Sequence, residues 1–449
     1  MKQRTFRHGI HPARDGKAYT KDAPIETYRP TGEAVYPLSQ HIGAPACAIV
    51  AVGDEVKVGQ MIAEPSGFVS AAICSAVSGK VKAIEPRLTI SGRKSPAIVI
   101  DNDGLFTPID TFGQERDCAS LSNEEILTII RDAGLVGQGG AGFPTHVKLT
   151  MKPGVAPDTV IVNAAECEPY LTSDYRLMLE RPEQLISGLK IVLQLFPAAR
   201  GVIGIENNKP EAIRLLKERT ADEPRISVCS LKTKYPQGGE RMLIHAVTGR
   251  DINVKKLPID AGCVVINVST AVSIYRAVCC RIPQISTVMT LTGDAVNTPC
   301  NVEVPVGTDH AELMEAFGGF KADPEKIISG GPMMGSAMAS LHVPVVKASS
   351  SILAMLQDEV AQWDPSPCIR CGRCVRACPS MLVPAMMGKA ADAGDLAAFE
   401  SLNGMECIEC GCCTYVCPAK RRLTQSFKFA KNAVNAARRR AKESADTKK

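Results

Sequence analysis

Two cysteine runs near the C-terminus carry the clearest chemistry in the chain. The first reads Cys368-Ile-Arg-Cys371-Gly-Arg-Cys374-Val-Arg-Ala-Cys378-Pro379, the second Cys407-Ile-Glu-Cys410-Gly-Cys-Cys413-Thr-Tyr-Val-Cys417-Pro418. Both follow C-x2-C-x2-C-x3-C-P, the spacing that holds 4Fe–4S clusters. Three thiolates two residues apart lie on one loop and can take three corners of a cubane. The fourth cysteine, expected to start a helix leading away, ligates the other cluster. On that rule Cys368, Cys371, Cys374 and Cys417 hold one cluster, while Cys378, Cys407, Cys410 and Cys413 hold the second. Cys412 is left over as a small packed thiol. Structural zinc also uses paired CxxC ligands, but two complete copies, each with its terminal Cys-Pro, argue against zinc. Two neighbouring clusters make a wire, which needs a donor at one end and an acceptor at the other.

A second feature lies upstream, where Gly137, Gly139, Gly140 and Gly142 fall in the run Gly137-Gln-Gly-Gly-Ala-Gly-Phe-Pro-Thr-His-Val-Lys148. So few Cβ atoms let backbone N–H groups approach a phosphate or a flat ring; a plain structural turn fits the same composition. Before the loop a helix is expected, capped by Asn123 and ended by Gly134. After it, residues 158–163 read as a buried strand that runs into Asn163-Ala-Ala-Glu166-Cys-Glu168-Pro. Polar groups just past a strand's carboxyl end are where open α/β sheets bind ligands. A helix at 182–196, a strand at 201–206 and a helix at 209–219 continue the alternation. Tyr235-Pro-Gln-Gly238-Gly239-Glu240 then adds a glycine-flanked acid, although a plain loop fits that stretch equally.

The elements that must position these groups fit into 449 residues, room for three or four domains. With 45% hydrophobic and 22% charged residues the composition is that of a soluble globular protein. Aromatics are only 4%, which offers no stacking platform for nucleic acid. No apolar run reaches about 18 residues, so no transmembrane segment is expected. Residues 1–12 are polar and lack the apolar segment of a signal peptide, which points to the cytoplasm. In that setting the eighteen cysteines are expected to be metal ligands or reduced thiols rather than disulfides. From Lys420 to Lys449 eleven Lys or Arg stand against two acids, so this tail carries +9 of a whole-chain +5 and the body is mildly acidic. A solvated helix is the ordinary reading of such a run, and contact with anionic lipid or an acidic partner the sharper one. Leu423, Phe427, Ala430, Val434 and Ala437 recur at three- and four-residue spacing, one apolar helix face.

The run Gly-Gln-Gly-Gly-Ala-Gly-Phe-Pro-Thr-x-x-Lys resembles the flavin-binding fingerprint of the NADH-oxidising FMN subunit of respiratory complex I. The Asn163–Glu168 segment, Tyr235-x-x-Gly238-Gly239-Glu240 and Asn267-Val-Ser-Thr270 resemble further segments of that family, in the same order. They depart from it where Ala165 and Gly239 replace acids. The resemblance implies that Gly137, Gly139, Gly140, Gly142 and Lys148 cradle FMN. It has Asn163 and Asn267 bonding the flavin, and Glu166, Glu168, Gly238, Glu240 and Thr270 around the nucleotide pocket. Residues 52–63 and 75–81 resemble the halves of a lipoyl-type barrel, yet no lysine lies between Val58 and Gly79 to carry a swinging arm, so the barrel is scaffold. Residues 286–342 resemble the β-grasp module that follows the flavin domain in the complex I relative, with Met333, Met334 and Met338 as packing residues.

Taken in order, the expected architecture is multidomain α/β and α+β. It has an N-terminal extension (1–38) with the motif Phe6-x-His-Gly-Ile-His-Pro12, a lipoyl-like β-barrel (39–105) and an FMN/NADH α/β domain (115–280). A β-grasp module (285–345) and a linker (349–364) follow, then an α-helical two-cluster ferredoxin-like domain (360–425) and a basic helix or tail (426–449). Along nearly its whole length the chain resembles the C subunit of Rnf ion-translocating electron-transport complexes. That implies a peripheral subunit on the cytoplasmic face of the cell membrane. It would exchange hydride with NAD(H) at FMN, and electrons, through two 4Fe–4S clusters, with the membrane subunits and indirectly with ferredoxin. A soluble flavin/iron–sulfur reductase of the cobalamin-reductase type, uncoupled from pumping, is the alternative, and the N-terminal position of the barrel speaks against it.

Overall fold

The structure is a computed structural model and describes residues 4–446. Its centre is a four-stranded parallel sheet in the order Ile226–Leu231, Arg200–Glu206, Thr159–Ala164, Cys263–Asn267. Val160, Ile161 and Val162 are buried, as strands covered by helices on both faces require. In chain order the strands stack 3-2-1-4, so the direction of winding reverses between Thr159–Ala164 and Cys263–Asn267. Ligands of open α/β sheets bind at such a switch point. Each strand carries an asparagine expected to bind ligand at this end, Asn163 next to the last residue of the first and Asn267 as the last of the second.

The helices Pro182–Leu195 and Val268–Cys280 pack closely over one face. Gly188 permits this approach: a Cβ there would lie 1.9 Å from the Ala271 carbonyl oxygen. The helix Asn123–Asp132 is capped by Ser122 rather than Asn123. The Ser122 side chain accepts from Glu125 N, and the Glu125 side chain returns the bond to Ser122 N, a reciprocal box that Asn123 is one residue too late to form. The expectation that every cysteine is a thiol or a metal ligand is corrected at one pair. Cys118 and Cys279, 5.4 Å apart at Cα, are joined in a disulfide between the loop before Ser122 and the end of Val268–Cys280. Two segments that pack side by side bring them within bridging reach.

The barrel consists of a four-stranded antiparallel sheet and a three-stranded one, with Ile62, Ile73, Val77, Ile98 and Ile100 between them. Its first strand, Ala34–Pro37, pairs with Lys94–Asn102, so the barrel begins inside the segment read as extension. The β-grasp module also recruits sequence from outside 285–345. Its six-stranded sheet runs Ile25–Thr27, Cys300–Pro305, Ser286–Thr292, Ser351–Met355, Lys326–Ser329, Ser336–Ala337. Ser351–Met355, expected as linker, is a central strand with Ile352, Leu353 and Ala354 buried.

In the C-terminal domain the helices Pro384–Asp392 and Leu396–Ser401 flank Gly394. Each fourth cysteine follows a short helix instead of starting one: Cys378 follows Arg373–Ala377, and Cys417 lies beyond Cys412–Tyr415. The proline after each cysteine lacks an N–H and cannot continue the helix ladder. The helix Leu423–Asp446 buries Leu423, Phe427, Ala430 and Val434 and leaves Ala437 exposed. No helix among the described residues is long and apolar enough to cross a membrane.

Candidate functional site: a glycine-walled pocket and two cysteine sets

At the switch point, Gly137, Gln138, Gly140, Ala141, Gly142 and Phe143 wall a pocket. Thr145 and Lys148 enter from the short helix Thr145–Leu149, and Val265, Ile266, Asn267 and Thr270 close the far side. Gly139 and Gly142 both have φ of +68°, the left-handed region, and a Cβ on Gly139 would sit 2.8 Å from Asn267 Nδ2. A Cβ on Gly140 would meet nothing within 4 Å, so this wall faces open space. The loop is pinned by Gln138 N donating to Thr270 Oγ1 at 3.0 Å. Behind Gly142 stand Gln40 of the barrel and Ala348, so three domains shape the loop.

Lys148 Nζ donates to the Val265 carbonyl at 2.9 Å and lies 3.6 Å from Glu240, which does not itself line the pocket. Asn163 Nδ2 donates to the Gly238 carbonyl at 2.8 Å. Asn267 caps the helix Val268–Cys280 through Ser269 N and donates to Asp174 Oδ2 at 2.7 Å. Burial, with the Glu166 charge acting the same way, raises the Asp174 carboxyl to about 7, against the bonds from Asn267 and Ser269 that lower it. Asp174 had no signal in the sequence beyond its place near the Asn163–Pro169 turn. The pocket fits a flat ligand bearing a phosphate: it combines a wall without Cβ atoms, an ammonium group and a buried Thr145 hydroxyl with no hydrogen-bond partner.

The other two acids lie apart from this cavity. Glu166 Oε1 accepts from Asp174 N at 2.8 Å and Tyr175 N at 3.2 Å, at the N-terminus of the helix Ser173–Glu180. Its second oxygen faces the ammonium groups of Lys17 at 3.7 Å and Lys209 at 3.9 Å. Glu168 Oε1 accepts from Met333 N at 2.6 Å and Met334 N at 3.1 Å, tying the flavin-type domain to the β-grasp loop 330–335. Burial raises its carboxyl, and the two N–H donors work against that rise.

In the C-terminal domain Cys378, Cys407, Cys410 and Cys413 line one cavity, with Leu382, Pro384, Met387 and Phe427 around them. This is the set that combines one cysteine of the first run with three of the second. Burial raises the Cys407 and Cys413 thiols to about 11 and about 12, so without a cation to hold them as thiolates they stay protonated at neutrality. Backbone N–H groups of Leu382 and Glu409 point at Cys378 Sγ and Cys407 Sγ, each at 3.4 Å. Cys412 also borders this cavity, so five cysteines line it; the four at ligand spacing fit an iron–sulfur cluster. Of the other set, Cys374 lies near Cys417, while Cys368 and Cys371 are exposed. Cys412, fully buried, packs with its Sγ 3.9 Å from the Tyr235 carbonyl.

The N-terminal motif, which the sequence left without a role, straps the two sites together. Ile10 exchanges backbone bonds with Tyr235, Gly9 N donates to the Ala377 carbonyl at 3.2 Å, and Ala13 N donates to Tyr415 Oη at 2.9 Å. Lys234 Nζ binds the carbonyls of Phe6 at 2.6 Å and His8 at 2.7 Å. Tyr235, Ile10, Met333, Ala377, Cys410 and Cys412 form one apolar cluster at this junction.

Four family models match the chain in sequence. They are the RnfC barrel sandwich hybrid domain at 4–105, the Nuo51 FMN-binding domain at 130–276, the SLBB domain at 288–337 and the 4Fe-4S dicluster domain at 361–418. The C subunit of the proton-translocating ferredoxin:NAD(+) oxidoreductase complex of Clostridium ljungdahlii is 45% identical, over 98% of this chain and 96% of that one. The C subunit of the Na(+)-translocating ferredoxin:NAD(+) oxidoreductase complex of Acetobacterium woodii is 42% identical, over 98% and 99%. The C subunit of the ion-translocating oxidoreductase complex of Rhodobacter capsulatus is 39% identical, over 96% and 83%. With this identity over nearly its full length, and with the glycine-walled pocket and the paired cysteine runs in place, the chain belongs to the RnfC family, the C subunits of ion-translocating, Rnf-type oxidoreductase complexes.

Proposed function

We propose that this chain is the NAD(H)-reacting subunit of a membrane-associated, ion-translocating ferredoxin:NAD oxidoreductase complex, held peripherally on the cytoplasmic face. What carries the reading is the presence of the switch-point pocket and the two cysteine sets in one chain, strapped together by residues 4–13. When bound, FMN and the two 4Fe–4S clusters would supply hydride exchange with NAD(H) and single-electron transfer respectively. The residues of the chain bind and orient. The loop Gly137–Gly142 offers backbone N–H groups and a surface without Cβ atoms, and Lys148 offers a cation beside Glu240. Thr270 and Asn267 fix the loop and the helix behind it. Cys368, Cys371, Cys374 and Cys417 are assigned to one cluster and Cys378, Cys407, Cys410 and Cys413 to the other. Glu166 and Glu168 are assigned to holding the pocket's flank, through Lys17, Lys209 and the loop 330–335.

The test is the visible spectrum and cofactor content of anaerobically purified protein, followed by NADH. About eight irons and one FMN per chain, with flavin bleaching on NADH addition, are expected. Irons without flavin, and no response to NADH, would leave the pocket structural and refute the assignment.

A further inference from the structure

The two cysteine runs are identical in spacing and opposite in setting. The second is turned inward. Cys410, Gly411, Cys412 and Cys413 are buried, and a Cβ on Gly411 would touch the Met333 carbonyl at 3.1 Å. Both acids of that loop are matched, Glu406 by Arg241 at 2.9 Å and Glu409 by Lys431 at 2.6 Å. The first run faces out. Cys368 and Cys371 are exposed, as are Arg370 and Arg373 between the ligands, and among the described residues neither arginine has a carboxylate within ion-pair distance. Ile369 is 65% exposed and Met386 51% exposed, and Ala385, next to Met386, contributes a backbone hydrogen bond to Cys374. The result is an apolar centre with a cationic rim around the only exposed cluster-type cysteines among the described residues.

We propose that this face, centred on Cys368 and Cys371 and rimmed by Arg370 and Arg373, docks an acidic protein face, one belonging to the same complex, whose carboxylates surround an apolar, redox-active centre. The proposal deepens the electron-transfer reading and rests on it. A solvated loop would explain exposed arginines alone. It does not explain their coincidence with exposed large apolar side chains and with the outward ligands. An anionic lipid surface would also attract the arginines, but lipid cannot accept the electrons that exposed ligands would deliver. Unpaired rim charges steer a partner and set register, and their attraction is screened over about 10 Å at 0.1 M salt.

The experiment titrates the full-length, cofactor-loaded chain onto the detergent-purified complex assembled without it, and separately onto vesicles of phosphatidylglycerol and phosphatidylcholine. Arg370→Glu/Arg373→Glu is expected to weaken binding to the complex at least tenfold. The neutral pair Arg370→Gln/Arg373→Gln should weaken it about threefold, which keeps the test alive if charge reversal impairs cluster loading. An equal reversal on the C-terminal helix, Arg439→Glu/Arg440→Glu, should leave that binding unchanged, and vesicle binding should not distinguish the loop variants from the original. Binding of both loop variants within twofold of the original overturns the proposal, as does an equal loss from the helix variant. A parallel loss on vesicles assigns the face to lipid and overturns it too. Iron content and NADH bleaching of the isolated variants, expected unchanged, separate these outcomes from failure of the electron-transfer reading.

Discussion

Glu303 offers the most direct test of how the β-grasp module is fixed to the flavin-type domain. It sits on Cys300–Pro305 and is mostly buried. Its Oε1 accepts from Arg276 at 2.5 Å and Ser286 Oγ at 2.6 Å, and its Oε2 accepts from Arg181 at 2.5 Å. Arg276 belongs to the helix that Asn267 caps, and Arg181 immediately precedes Pro182–Leu195. Burial alone would raise this carboxyl, but the two guanidinium groups and the Ser286 hydroxyl lower it from 4.5 to about 2. At about 1.4 kcal/mol per unit, that gap amounts to roughly 3 kcal/mol. The folded value lies below the unfolded one, so the contribution is complete above pH 4.5 and is lost only as pH falls toward 2. Glu303→Gln keeps the size, removes the charge and strands two part-buried cations, a change that costs about 3–5 kcal/mol when buried pairs are broken. A multidomain chain does not unfold in two states, so the assay is native-state hydrogen exchange, corrected for intrinsic rates, on Cys300–Pro305 and Val268–Cys280. Protection in both segments should fall by about 3 kcal/mol, equally at pH 6 and pH 8. A fall below about 1 kcal/mol, or one that shrinks at pH 6, would refute the argument that the arginines hold an ionised Glu303.

Asp174, with its carboxyl near 7, behaves in the opposite sense: the folded state holds the proton more tightly, so stability falls as pH rises from about 4 to 7. Asp174→Asn should abolish this component, and native-state hydrogen exchange on Val268–Cys280 should show the variant gaining about 1 kcal/mol on the original between pH 6 and pH 8. Gly188→Ala drives a methyl group into the Ala271 carbonyl and must part the two helices. A loss of about 3 kcal/mol and reduced flavin retention are expected, read by native-state hydrogen exchange on Pro182–Leu195 and by flavin content; a variant with both unchanged would show that the helices can yield. Cys412→Ser should keep about eight irons per chain, whereas Cys413→Ser should drop to about four; equal iron counts would overturn the ligand assignment.

What could be read from the sequence follows the range of the interactions involved. Cysteine spacing is local, and so is the strand–helix alternation that places Asn163 near a strand end; Asn267 is reached only through the family resemblance, because its strand joins the sheet across a long separation. The N-cap slipped by one residue because Ser122 and Asn123 can both cap, and only the reach of the Glu125 side chain selects the former. Strand pairing across long separations left no such trace. Ile25–Thr27 joins Cys300–Pro305, and Ser351–Met355 enters the same sheet as a short apolar run between polar stretches. Glu166 and Glu168 look like pocket acids because of their place after a strand. Glu166 also meets Asp174 N and Tyr175 N close by in the chain, but Lys17 and the backbone of Met333 and Met334 lie too far along it for a pattern to connect them.

The strap formed by residues 4–13 explains how an electron carrier can stay in register with the pocket it serves. Its bonds to Tyr235 and Ala377 run backbone to backbone, and those from Lys234 run to backbone carbonyls. Burial, with the Lys232 charge acting the same way, lowers the Lys234 ammonium to about 8, so it is still charged at neutrality where it meets those carbonyls and the Phe6 ring, 3.9 Å away. Ala377 immediately precedes Cys378, the cysteine that the first run lends to the inner cavity. Holding Ala377 against Gly9 therefore positions an inner-set cysteine relative to Tyr235, which stands three residues before Gly238 on the pocket's flank. The geometry between pocket and inner cysteines is thus set by main-chain bonds and buried contacts, while the outer run is left free to meet its partner.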